Sequence, residues 1–217
     1  MIERYTRPEM GHLWSIQNEW QTILNVEIAA CEAMAELGEI PAAAVENIKA
    51  NAKFDVARIN EIEKTTDHDI IAFLTNLEEN VGEDSKYIHK GLTSSDVKDT
   101  AYCVMMRDAA AIILGDLRAF REVLRRRADE FRHTPCIGRT HGIHAEPMTF
   151  GLKLLLWSAE IERDIERLTR AQEIVSVGKL SGAVGTYSNI DPRIEELTCK
   201  KLGITPVRLA TQVIQRD

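Results

Sequence analysis

The chain has 217 residues, of which 44% are hydrophobic, and a formal net charge of -7 at pH 7. This composition is typical of a globular protein with a sizeable core, and the low content of Pro and Gly disfavours disorder. The acidic balance argues against non-specific binding to nucleic acid, although a local cluster of cations could still bind a small anion.

Cysteine spacing and the apolar runs narrow the class of protein further. The four cysteines, Cys31, Cys103, Cys136 and Cys199, lie far apart and match no metal-binding or redox spacing. The first five residues contain no apolar stretch of a signal peptide, and the longest apolar runs are too short to cross a membrane. We therefore expect a cytoplasmic protein with reduced thiols and no membrane partner.

The first part of the chain predicts several amphipathic helices. Apolar residues recur at helical spacing from Pro8 to about Leu37, and Gly38 suits a helix C-cap. Pro41 and Asp55 are placed to open two further helices. A polar break at 65–69 then precedes another amphipathic helix.

The second part predicts much longer helices. Three hydroxyls and an acid at 93–96 form a strong helix start, and no proline follows until after Thr134. Gly115 is the only glycine in that stretch. A second long helix is predicted from Phe150 to about Val177, and Asp191 followed by proline opens a shorter one.

Alternation of period two is absent, so the predicted class is all-α. Helices of this length are typical of bundles. We expect a small N-terminal helical domain over residues 1–93, followed by the first part of an elongated helical bundle over residues 94–217. Two long helices cannot bury their apolar faces alone, so we also expect either partner chains or a longer parent protein.

The most polar break between helices lies at 138–151. It contains His141 and His144, and an imidazole can gain or lose a proton near neutral pH. The functional interpretation is acid–base work by one histidine, with Arg139 and Thr140 contacting an anion. The alternative is a polar turn between helices. Zinc is disfavoured because the spacing matches no known helical zinc motif.

Two further polar stretches allow two interpretations each. His68 stands between Asp67 and Asp69 at a predicted helix start, where capping by either carboxylate would need no chemistry. Thr93 and Ser94 open the next helix, whose free N–H groups could bind a carboxylate or phosphate. Taken alone, this second stretch is fully explained as a cap.

The stretch 178–187 resembles a phosphate-binding loop only superficially. The first glycine of that motif would fall at Glu173, and no strand precedes it. Close backbone packing is the expected role of Gly182 and Gly185.

Taken together, the motifs resemble those of the adenylosuccinate lyases, a family of the fumarase/aspartase superfamily. The resemblance spans essentially the whole chain and rests on Arg4-Tyr5, 65–69, 93–97 and 138–147. The Thr-His-Gly-x-His-Ala-x-Pro form is specific, since fumarases and argininosuccinate lyases typically carry Leu-Gln in place of Gly142-Ile143.

The resemblance implies a carbon–nitrogen lyase of purine biosynthesis that needs no cofactor. Such enzymes eliminate fumarate from adenylosuccinate to give AMP, and from the succinyl-carboxamide intermediate SAICAR to give AICAR. It implies a cytoplasmic homotetramer with active sites shared between subunits, and no metal, nucleic-acid or membrane partner. The alternatives are another lyase of the superfamily, such as argininosuccinate lyase, and a non-catalytic all-α assembly module.

The resemblance also implies that this chain is the N-terminal portion of the enzyme. The flexible signature loop with its catalytic serine base does not occur in the sequence, so we expect the fragment alone to be inactive.

Residue roles follow from the same resemblance. His141 is the expected general acid, and His68 is expected to assist it in catalysis and to contact the substrate. The other expected substrate-binding residues are Arg4 and Tyr5 at the phosphate, Thr93 and Ser94 at a succinyl carboxylate, Asp67 and Asp69 beside His68, Gln212, and, as a weaker candidate, His89.

Overall fold

A computed structural model of the protein describes residues 2–215. The chain divides into two compact units, one formed by Met1–Arg107 with Val175–Asp217 and the other by Asp108–Ile174. These units reflect contacts within this chain alone, so the domain boundary expected between residues 93 and 94 stays a prediction.

Helices form most of the first unit. They are α1 (Pro8–Leu13), α2 (Ile16–Glu36), α3 (Ala42–Asn51), α4 (Val56–Thr66), α5 (Asp69–Val81), the beginning of α6 (Ser94–Glu130), and α8 (Pro192–Leu202). Two short 3-10 helices cover Glu3–Tyr5 and Gly82–Tyr87. Two strands of two residues each, β3 (Val177–Gly178) and β4 (Thr205–Pro206), pair in parallel.

The core of the first unit lies between α2 and α5. Trp20 stacks on Phe73 with ring centroids 4.9 Å apart, and Phe54 meets the edge of Phe73. The most deeply buried apolar residues around them are Val26, Ala33, Ile48, Ile59, Ile70 and Leu77. The apolar faces predicted for these helices therefore point into one core.

The helical stretch predicted from Pro8 to Leu37 is two helices rather than one. Ser15 separates them because its side chain caps α2, accepting a hydrogen bond from Asn18 N at 3.2 Å. The predicted cap at Gly38 is confirmed: its φ is +75°, and the N–H of Glu39 donates to Met34 O at 2.9 Å.

Other predicted helix boundaries are also confirmed. Asp55 accepts from Arg58 N at 2.8 Å and starts α4, while Pro41 directly precedes α3. Asp191 accepts from Arg193 N at 2.9 Å and starts α8.

The second unit contains the rest of α6, most of α7 (Phe150–Val175) and an antiparallel hairpin between them. The hairpin strands are β1 (Pro135–Thr140) and β2 (Ile143–Thr149). Within this unit, Leu124, Ala128 and Leu154 form a small core.

The hairpin corrects the prediction of a loop at 138–151. The strands could not be predicted because they are short and mostly exposed, and because Gly138 and Pro147 are unfavourable in strands. Apolar and polar residues alternate only from Ile143 to Glu146. The all-α class is confirmed, since every strand is short. No helix within residues 2–215 is long and apolar enough to cross a membrane.

Candidate active site

His68 and Ser94 come from separate motifs, and the first unit brings them together. Asp67 ends α4 in the left-handed conformation (φ +48°), and the next residue, His68, caps α5. The Nδ1 atom of His68 accepts a hydrogen bond from Ile71 N at 3.4 Å. Its Nε2 atom lies 3.5 Å from Ser94 Oγ at the start of α6.

Both ring nitrogens of His68 have polar neighbours. In the tautomer in which Nδ1 accepts from Ile71 N, the proton lies on Nε2 and can be donated toward Ser94 Oγ. The side chain of His68 is 45% exposed, which leaves it open to a ligand. The two helix starts therefore present one imidazole nitrogen and one hydroxyl side by side.

Asp69 is held by a lysine that the sequence analysis did not identify. Its carboxylate accepts hydrogen bonds from Ile70 N at 2.8 Å and from Lys98 Nζ. Burial raises the pKa of Asp69, but the bonds from Lys98 and Ile70 N outweigh burial and keep that pKa below its usual value. The N-cap of α5 is His68 rather than Asp67 or Asp69, although the Asp69 carboxylate also accepts from a first-turn N–H of that helix. Lys98 follows Ser94 by one helical turn, a spacing that could have indicated it.

Thr93 and Ser94 mark the N-terminus of α6, as predicted. Thr93 N donates to Asp96 Oδ2 and Asp96 N donates to Thr93 O, both at 2.9 Å. The bond from Thr93 N to the Asp96 carboxylate is the half of a capping box in which the side chain at the third helical position reaches back to the cap, while the bond from Asp96 N to Thr93 O is a backbone turn. Both Thr93 and Ser94 remain half-buried at the positive end of the helix dipole, where an anion is favoured.

His89 is paired with a carboxylate from the core. Its Nδ1 lies 2.5 Å from Glu27 Oε1, and its backbone N–H donates to Glu27 Oε2 at 3.0 Å. Burial lowers the pKa of His89, but the hydrogen bond and negative charge of Glu27 outweigh burial and raise that pKa above its usual value. Glu27 was missed because it lies on the apolar face of α2, 62 residues away in sequence.

The three remaining candidates of the first unit lie near the ends of the chain. The Arg4 guanidinium stacks on the Tyr5 ring, 4.8 Å from its centroid, and Tyr5 is 73% exposed. Gln212 is exposed in an irregular segment, which is tied to α6 because Ile214 N donates to Asp99 Oδ2 at 3.0 Å.

His141 belongs to the second unit and lies at the tip of the hairpin. Thr140 pairs with Ile143, so His141 and Gly142 alone form the turn, with φ of +51° and +72°. Positive φ at both positions is the signature of a type I′ turn, which suits the twist of antiparallel strands. The turn leaves the His141 side chain exposed.

The rest of the hairpin explains the residues around His141. Arg139 lies opposite His144, and the pairing is irregular between Ile137 and Arg139. A Cβ on the intervening Gly138 would lie 2.9 Å from Glu146 O, so the irregularity requires glycine there.

No group of three or more His, Cys, Asp or Glu within residues 2–215 is placed to hold a metal ion.

Comparison with known proteins gives relatives over the full length of the chain. The profile of the family described as Lyase matches residues 3–217. Among curated proteins, the chain is 55% identical to the adenylosuccinate lyase of Synechocystis sp., 51% to that of Bacillus subtilis and 49% to that of Staphylococcus saprophyticus, each over 217 residues. It spans 50% of the length of each.

Solved structures share the fold over a similar share of their length. The fumarate lyase of Mesorhizobium sp. BNC1 matches with a TM-score of 0.87 and 30% identity, covering 92% of this chain and 49% of that one. The 3-carboxy-cis,cis-muconate lactonizing enzyme of Pseudomonas putida matches with a TM-score of 0.87 and 28% identity, covering 94% of this chain and 49% of that one. With the family profile matching nearly every residue, the chain belongs to the lyase family.

Proposed function

We propose that this chain is the N-terminal half of an adenylosuccinate lyase of purine biosynthesis. The enzyme would eliminate fumarate from adenylosuccinate, giving AMP, and from SAICAR, giving AICAR. The observation that carries the proposal is the identity of 49–55% with three proteins of that name, over all 217 residues.

The reaction is a β-elimination that needs one acid and one base. A base removes a proton from the carbon beside a carboxylate, and the electron pair of that C–H bond forms the double bond of fumarate. The C–N bond breaks, and an acid protonates the departing nitrogen. His141 is proposed as the acid. A placed acid typically contributes ~10²–10⁴-fold in rate.

His68 supports the same step from the first unit. Its Nε2 atom and the Ser94 hydroxyl oxygen lie 3.5 Å apart, so both groups can turn toward an anionic ligand between the two helix starts. Thr93 and Ser94 would bind a succinyl carboxylate, with Asp67 and Asp69 flanking His68. Gln212 would contact the substrate as well.

The phosphate of the nucleotide is assigned to a different group of residues. Arg4 is fixed against Tyr5, and both are exposed, which suits a cation and a hydroxyl that bind phosphate. His89 remains the weaker candidate, since its Nδ1 is already occupied by Glu27.

The complete site would require segments that this chain does not contain. The serine base would come from the signature loop, and neighbouring subunits of a cytoplasmic homotetramer would share each site. Assembly is supported by apolar side chains of α7 that stay exposed among residues 2–215: Leu152 (56% exposed), Leu155 (52%), Leu156 (62%) and Trp157 (44%).

A substrate panel tests this proposal. A full-length lyase carrying this sequence as its N-terminal half should convert adenylosuccinate and SAICAR, measured by absorbance, and should not convert argininosuccinate. Turnover of argininosuccinate alone would favour the other lyase of the superfamily. Absence of turnover with every substrate would favour a non-catalytic assembly module.

A further inference from the structure

A buried charge pair lies directly below the start of α6. The side chains of Asp96 and Lys179 are both 0% exposed, and Lys179 Nζ lies 2.5 Å from Asp96 Oδ1. Buried charges are costly unless they are paired and fully hydrogen-bonded. The pair therefore indicates that the fold needs charged, hydrogen-bonding groups at these two positions, which apolar side chains could not replace.

The Asp96 carboxylate accepts three backbone hydrogen bonds in addition to the lysine. The donors are Ser181 N at 3.2 Å, Gly182 N at 3.1 Å and Thr93 N at 2.9 Å. Lys179 Nζ also donates to Gly182 O at 2.9 Å. One carboxylate thus joins the first turn of α6 to the segment at 179–182.

Lys179 itself is held on its backbone by α6. Its N–H donates to Thr100 Oγ1 at 3.0 Å, and the same hydroxyl donates to Lys179 O at 3.2 Å. The backbone of Lys179 cannot move away from α6 without breaking these bonds, and its Nζ is held by Asp96 Oδ1 and Gly182 O. The pair is therefore a fixed part of the structure rather than a mobile contact.

We propose that Asp96, with Lys179 as its counter-ion, is a positioning residue that fixes Thr93 and Ser94 for a carboxylate of the substrate. Asp96 is too deeply buried to touch a ligand, but it accepts from Thr93 N and donates to Thr93 O. It sets the direction in which the first N–H and hydroxyl groups of α6 point. The inference rests on the proposed function, which assigns the succinyl carboxylate to Thr93 and Ser94.

A carboxylate is needed at position 96 for a chemical reason. Four donors converge on it, and an ionised carboxylate is acceptor-only, with two oxygens. An asparagine would offer one oxygen and would turn an NH₂ group toward a lysine or a backbone N–H. Asp96→Asn therefore keeps the shape of the side chain but disrupts the hydrogen bonds that converge on it.

Glu195 provides a matched control. It is also buried, and it holds the same segment by accepting from Leu180 N at 2.7 Å and from Tyr187 Oη at 2.9 Å. It makes no hydrogen bond to Thr93 or Ser94 in the described part of the chain. Glu195→Gln should thus destabilise the fold without disturbing the start of α6.

The test is product inhibition of the full-length lyase by fumarate and by AMP. For Asp96→Asn we expect the inhibition constant of fumarate to rise about tenfold or more, because small misplacements of binding groups are costly. The inhibition constant of AMP should change by less than about twofold, as should both constants for Glu195→Gln. A role limited to folding would not separate fumarate from AMP. Equal weakening of both ligands, or no weakening of fumarate, overturns the proposal.

A second variant and a second measurement keep the test decisive. Should Asp96→Asn not fold, Lys179→Met replaces it. We then expect a smaller rise in the inhibition constant of fumarate, and no rise in that constant overturns the proposal.

If the wild-type enzyme has no lyase activity, the proposed function fails, and the positioning role is tested by amide hydrogen exchange on the 217-residue chain. Thr93 N–H should then exchange about tenfold faster in Asp96→Asn and not in Glu195→Gln. Unchanged exchange contradicts the positioning role.

Discussion

At the tip of the hairpin, His141 is presented by a turn that needs only itself and Gly142. We expect His141→Ala in the full-length lyase to lower kcat by ~10²–10⁴-fold, the contribution of a placed acid. KM should change far less, because Thr93 and Ser94 at the start of α6 are proposed to bind the substrate. Steady-state kinetics on adenylosuccinate measure both values.

The control for this change is His133→Ala, which removes an exposed imidazole in the turn that follows α6. It should leave kcat and KM unchanged. A rise in KM with unchanged kcat for His141→Ala would assign His141 to binding instead of proton transfer.

The pair of Glu27 and His89 makes stability depend on pH. Because Glu27 raises the pKa of His89 in the folded state above the ordinary value of 6.5, the charged pair contributes fully below that value. The contribution is lost as pH rises through the folded-state pKa. Glu27→Gln should therefore lower the free energy of unfolding by about 2 kcal/mol more near pH 6 than near pH 9, measured by urea denaturation.

Glu36→Gln serves as the comparison on the same helix. Glu36 pairs with Lys201 at 2.6 Å, but it is 51% exposed. An exposed pair of this kind contributes about 0–1 kcal/mol, so Glu36→Gln should have a small effect at both pH values. An equal pH dependence in both variants would show that His89 is not the titrating group.

Among the elements, α6 and α7 show that one substitution has opposite effects at two glycines. A Cβ on Gly115 would meet nothing within 4 Å, whereas a Cβ on Gly151 would lie 2.4 Å from Ala128 O. We expect Gly115→Ala to raise the free energy of unfolding by about 0.5–1 kcal/mol, since alanine favours the helix. Gly151→Ala should lower it by about 1–3 kcal/mol through overpacking.

Urea denaturation of the 217-residue chain compares the two variants directly. Equal effects of the two substitutions would show that helix propensity alone decides both, and that α7 does not approach α6 closely at Gly151.

The helix ends and the hairpin differ in whether they could be predicted from the sequence. Helix ends at Asp55 and Gly38 were predictable because a cap bonds to residues only a few positions away. The hairpin around His141 was not, because apolar and polar residues alternate only from Ile143 to Glu146, and Gly138 and Pro147 disfavour strands.

Pairs of charged residues that are distant in sequence could not be predicted, for a different reason. In the sequence, Lys179 is one residue of the stretch 178–187, and only folding brings it to Asp96, 83 positions earlier. Glu27 is a polar residue on an apolar helix face, and its partner His89 is evident only in the structure. A polar residue on an apolar face indicates that some partner is needed, but it carries no local signal of which residue that partner is.

At the scale of the whole molecule, the residues proposed for catalysis and substrate binding belong to two different units. His68, Thr93 and Ser94 belong to the first unit, and His141 belongs to the second. In the proposed enzyme, the serine base would lie on a segment outside this chain. On this proposal, His141 would be separated from the base with which it acts.

We accordingly expect the purified 217-residue chain to show no conversion of adenylosuccinate to AMP above the blank, followed by absorbance. Elimination needs both proton transfers, so an acid without its base should lose essentially all of the rate that general acid–base catalysis supplies. The full-length lyase, assayed in parallel, should turn over. Turnover by the chain alone would refute the expectation if His141→Ala abolished it, because a contaminating enzyme would be indifferent to that change.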